Sequence, residues 1–113
     1  MGMRILEMIL PRLELMAEMA SDRSVVRDAK KLAEMREDYR YMASVSLSLI
    51  PALERGLADL PEPISADAPI EERVSFQMAL IRQTNRLHRA VQADLVARRV
   101  SREGRRQSAI ERI

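Results

Sequence analysis

From Pro69 to about Arg102 nothing interrupts a helix, so positions can be set on faces at about 100° per residue. Ile70, Leu80, Ile81, Leu87, Val91 and Leu95 fall on one broad face, and Arg82, Arg86 and Arg89 on the opposite one. Past about residue 93 the pattern inverts. Arg98, Arg99, Arg102, Arg105 and Arg106 continue the formerly apolar face, while Ala93, Val96, Ala97 and Val100 occupy the formerly charged one. A helix that packs only within its own bundle has no reason to change sides. The inversion predicts that the end of this helix leaves the core and meets something else.

Two further helices are predicted upstream. The first runs from about Met3 to Ala20, with Ile5, Leu6, Ile9, Leu10, Leu13, Met16 and Met19/Ala20 on one side. Pro11 lies inside it and removes a backbone donor, so a kink or break is expected near Leu10. Ser21 or Asp22 is placed to cap the second helix, which should reach Leu49 or Ile50. Its main stripe is Val25, Ala29, Leu32, Tyr39, Ala43, Leu47 and Ile50. A second row, Met35, Met42 and Leu49, suggests a second packing partner.

After Pro51 a short segment, Ala52 to Leu60, is weakened by Gly56. Pro61, Pro63 and Pro69 then mark residues 61–69 as the clear linker. Asp67 is a candidate cap for the last helix, Pro69 suits its start, and Glu71 and Glu72 complement its dipole. The second and last helices should be roughly 40 and 50 Å long at 1.5 Å per residue. Joined by a compact linker, they predict an antiparallel hairpin. With a kinked N-terminal helix beside it, that hairpin leaves apolar surface that dimerisation would cover. The expected fold is therefore all-α, with residues 1–103 as one helical domain and 104–113 as a frayed or disordered basic tail after Gly104.

Composition agrees with this class. The 113 residues are 47% hydrophobic and 32% charged, a globular balance with enough chain for one modest core. Aromatics are confined to Tyr39, Tyr41 and Phe76. Five of the eight methionines fall in the first nineteen residues, where they serve either as core filler or as an adaptable contact surface. The longest uncharged run, Tyr41 to Leu53, is too short to span a bilayer. No signal-peptide pattern is legible at the N-terminus. With no cysteine, disulfides, thiolate nucleophiles and zinc–thiolate sites are excluded, and a cytoplasmic setting is expected.

Charge does change the picture. Residues 1–81 carry 10 Lys and Arg against 14 Asp and Glu, whereas residues 82–113 carry 9 Arg against 3 acids. The polarity suggests an anionic partner for the C-terminal end, or the acidic half of the same chain, within one subunit or across a dimer.

Chemistry-bearing patterns are few. His88, the only histidine, shares the core face with Gln77 and Thr84, with Asn85 and Gln92 close by. Such a polar seam fixes helix register. A catalytic role needs a partner at a recognisable spacing, and a di-iron helix motif needs Glu three residues before the histidine, where Asn85 stands. The acidic pairs Glu14/Glu18 and Glu34/Asp38 read as solvated faces or as sites for a cation or a basic partner. Arg36 is expected to pair with an acid across the bundle or to snorkel outward.

No catalytic, cofactor or metal site is expected, and the chain reads as non-enzymatic. The expected function is a protein–protein interaction module: an adaptor, small chaperone or regulator. Its expected partner-binding residues are Ala93, Val96, Ala97, Val100, Arg98, Arg99, Arg102, Arg105 and Arg106. The expected partner is a protein with an acidic surface, a second copy of the chain, or both, and no membrane. A nucleic-acid-binding regulator using the arginine stripe is the alternative. That stripe lacks the aromatic interleaving of single-strand binders and fits no helix-turn-helix or basic-zipper pattern.

Overall fold

A computed structural model describes residues 2–50, 53 and 61–111, the side chains of 102–111 excepted. The chain is all-α. It forms α1 (Gly2–Ala20), α2 (Ala29–Leu49) and α3 (Ile70–Glu111), with a 3-10 turn at Arg23–Arg27 between the first two. The molecule measures 67 × 23 × 18 Å. A helix of 42 residues is about 63 Å long, so α3 runs nearly the whole length of the rod.

α1 buries Leu6, Ile9, Leu13, Met16 and Ala20, which recur at three- and four-residue steps and form one inward stripe. Ile5 and Met19, expected on that stripe, are exposed instead. Pro11 does not break the helix. It lies on the exposed side with Glu7, four residues earlier, so the carbonyl that loses its donor faces water.

Asp22 does not open α2 directly. Its carboxylate accepts from the Ser24 N–H at 2.9 Å and caps the 3-10 turn. Asp28 then accepts from the Lys31 N–H at 3.0 Å and caps α2. Two capping carboxylates six residues apart divide what the sequence suggests is one helix. Along α2 the two apolar rows merge into one core face. Leu32, Met35, Tyr39, Met42 and Ala43 are all buried, as is Ser46, whose hydroxyl donates to the Met42 carbonyl at 2.8 Å.

Helix directions differ from the expected hairpin. Gln77 of α3 lies against Ala20 at the end of α1, and Arg99 lies against Glu7 near its beginning, so α1 and α3 run antiparallel. Arg73 meets Arg27 just ahead of α2, and Arg98 meets Leu49 at its end, so α2 and α3 run parallel. The antiparallel partner of the long helix is therefore α1, which also packs on it more extensively than α2 does.

Of the connection between α2 and α3, residues 61–69 lead from beside α2 to the start of α3. Leu53 and Ile64 pack against the core. Arg36 Nε donates to the Pro61 carbonyl at 2.8 Å and pins this irregular segment to the middle of α2. Arg73 holds its far end through the Ala66 and Ala68 carbonyls. Asp67 serves that turn, accepting from Ser65 Oγ, while the Pro69 carbonyl accepts from the Arg73 N–H as α3 begins. The expected short segment 52–60 lies, apart from Leu53, outside the described residues.

Candidate interaction surface

The inward face of α3 carries its polar residues to the ends of the other helices. Gln77 Nε2 donates to the Ala20 carbonyl at 2.6 Å and to the Asp22 carbonyl at 2.9 Å. It thereby satisfies the Ala20 carbonyl, which the end of α1 leaves open, and adds a second donor to the Asp22 carbonyl, which already accepts from the Val25 N–H. Thr84, fully buried, turns its hydroxyl to the Leu80 carbonyl at 2.7 Å. His88 Nε2 lies 3.2 Å from Glu14 Oε1, at the edge of the α1–α3 contact. The seam thus ties α3 to α1 in one register.

Arg98 explains the start of the inversion. It occupies the position on α3 that would next be core, level with the end of α2 at Leu49. Its Nη2 donates to the Leu49 carbonyl at 2.7 Å and its Nε to Asp94 Oδ2 at 2.7 Å. A cation at the C-terminal end of α2 also complements that helix dipole. Arg98, expected among the partner-binding residues, thus spends two of its donors on contacts within the molecule and remains partly exposed. Arg99 is exposed and approaches Glu7 Oε1 at 3.5 Å, a loose surface pair. Arg102, Arg105 and Arg106 lie on the helical backbone of α3, which continues through Gly104, but their side chains lie outside the described residues.

The apolar half of the inversion faces outward. Val96 and Val100 are 52% and 66% exposed, and Ala93 and Ala97 beside them are exposed as well. Together they make an apolar strip on the outer face of α3, with Arg99 next to it. α3 continues 12 residues beyond Arg99, whereas α1 continues only five beyond Glu7. The last turns of α3 thus overhang the level at which α1 begins by about 10 Å.

A second apolar surface lies along α1, the helix in which the methionines cluster. Met8 and Leu15 on α1 are 69% and 57% exposed, with Ile5 and Met19 above and below them. Between this row and α2 runs a groove of about 200 Å³, lined by Arg12, Leu15, Met16 and Met19 from α1 and by Met35, Asp38, Tyr41 and Met42 from α2. Its signal lay in the spacing. Ile5, Met8, Leu15 and Met19 repeat one position before the core residues Leu6, Ile9, Met16 and Ala20, a second seam beside the first.

Among the described residues, no three Asp, Glu or His side chains converge where they could hold a metal ion, and no helix is long and apolar enough to cross a membrane. Comparison of the chain with protein-family models, with curated proteins and with solved structures gives no match.

Proposed function

We propose that the chain is a non-enzymatic cytoplasmic interaction module, an adaptor, small chaperone or regulator. It docks a partner protein on the outer face of the end of α3 and self-associates through its other apolar surface. The observation that carries the docking site is the exposed strip Ala93, Val96, Ala97 and Val100 on a long, internally braced helix. A contiguous apolar strip on a helix is a cheap surface for another helix or groove to cover. Arg99 beside it, with the excess of arginine in residues 82–113, favours a partner whose rim is acidic.

Val96→Glu combined with Val100→Glu tests this reading. Both side chains already face solvent, so helicity and thermal unfolding should hold while partner capture is lost. Met78→Glu, at the exposed start of the same helix, should leave capture intact. Equal capture by wild type and V96E/V100E would remove the strip from the mechanism.

The charge of residues 82–113 favours nucleic acid as the second reading. If phosphates are the target, retardation of duplex DNA or RNA in gels should weaken steeply between low and moderate salt. Absence of any retardation at low salt rejects it.

A further inference from the structure

We infer that the exposed seam of α1 is the self-association surface, and that it takes the α1 of a second copy, antiparallel, laid into the α1–α2 groove. This deepens the self-association proposed above and rests on it; the docking strip on α3 is independent of both. Ile5, Met8, Arg12, Leu15 and Met19 recur at alternating three- and four-residue steps, the spacing by which one helix packs along another. The stripe is unoccupied within the monomer, for Met8 and Leu15 are among its most exposed apolar side chains. One flank of the stripe is the molecule's own core, Ile9 and Met16. The other flank is Arg4, Pro11 and Glu18, all exposed.

That free flank selects the occupant and its register. When a seam meets its own copy antiparallel, flanking positions pair so that early residues face late ones. The register that places Ile5 against the partner's Leu15, and Met8 against the partner's Arg12, also places Arg4 beside the partner's Glu18. By symmetry Glu18 then meets the partner's Arg4, and Pro11 lies beside its own copy at the two-fold axis. Opposite charges thus sit at both ends of the contact, and the seam is self-complementary. A parallel pairing would instead turn this flank toward the partner's Ile9 and Met16 side, where neither Arg4 nor Glu18 gains an opposite charge. Arg12 and Asp38 line the same groove, so the helix that fills it covers one cation and one anion together and not a lone charge. Tyr41, 61% exposed at the lip of that groove, supplies the aromatic anchor that helical interfaces favour.

Sedimentation equilibrium reads the mass, and cross-linking reads the register. The wild-type chain is expected to be a dimer at micromolar concentration. Met8→Glu and Leu15→Glu should each weaken the dimer at least tenfold with unchanged helicity. Arg4→Glu and Glu18→Arg should each weaken it several-fold, and R4E/E18R should restore it. The chain has no cysteine, so Pro11→Cys introduces the only thiol. A short bis-maleimide should link P11C chains in pairs. It should not link E18C chains, whose thiols lie about 21 Å apart in this register.

A wild-type monomer at high micromolar concentration overturns the self-association and this inference with it. A dimer that persists in M8E and L15E leaves self-association standing but removes this surface from it. A dimer that cross-links through E18C and not through P11C overturns the antiparallel register alone.

Discussion

Arg98 stands where a core leucine would continue the inward face of α3, and its guanidinium is spent on a helix end. Removing it leaves the Leu49 carbonyl and the Asp94 carboxylate to water. Arg98→Ala should therefore lower stability by about 1 kcal/mol, read as a thermal shift of roughly 4–8 °C. Gln77→Ala should cost about as much or more, because its two carbonyl acceptors lie at the more enclosed end of α1. Thr84→Val is the contrasting case. The Thr84 hydroxyl doubles a bond on a carbonyl already placed in the helix ladder and otherwise meets only the weak Met16 sulfur acceptor at 3.8 Å, so the change should alter stability by less than about 0.5 kcal/mol. Asp22 adds a pH dependence. Hydrogen bonds from the Ser24 N–H and then the Ser24 hydroxyl hold its carboxyl below the usual carboxylate range. A depressed folded-state pKa gives stability that is complete above about pH 4 and is lost as pH falls through the lower folded value. Asp22→Asn keeps an oxygen acceptor for the turn but cannot titrate. Thermal melts between pH 2 and 6 should therefore show a shallower acid limb for D22N than for wild type.

At the scale of elements, the legible features were those written in periodicity. The three helices, the inward stripe of α1 and the burial of Tyr39, Leu80, Leu87, Val91 and Leu95 follow from apolar spacing alone. The ends of α1 and α2 and the start of α3 were legible as well, but the start of α2, the extent of α3 and the helix directions were not, because they depend on local caps and on distant partners. Asp28 divides the second predicted helix in two through a bond from the Lys31 N–H that caps α2 separately from the turn capped by Asp22. α2 and α3 run parallel, with Arg36 holding Pro61 beside α2 and Arg73 holding the start of α3 at Arg27, through backbone carbonyls at sequence distances no spacing rule registers. Pro11 shows the same limit. Its effect depends on which side of α1 it faces, and that is decided by α2 and α3. Pro11→Ala should add a helical hydrogen bond at a solvent-facing site and raise stability by about 1–3 kcal/mol, measured by denaturant unfolding.

For the molecule as a whole, the division of the arginines is the feature that bears on function. The sequence grouped Arg98 with the docking residues because face geometry cannot tell a guanidinium that closes a bundle from one that greets a partner. The structure separates them: Arg98 is committed to α2 and Asp94, while Val96, Val100, Ala93 and Ala97 remain on the outside. The central claim is that this outer strip touches a protein. A photo-crosslinking benzophenone side chain placed at Val96 tests it most directly, with the same group at exposed Asn85, on the same outer side but away from the strip, as reference. The account predicts that position 96 links in cells to one discrete protein through an acidic surface and that position 85 does not. Links from position 96 only to nucleic acid, or to the same background as position 85, would contradict it.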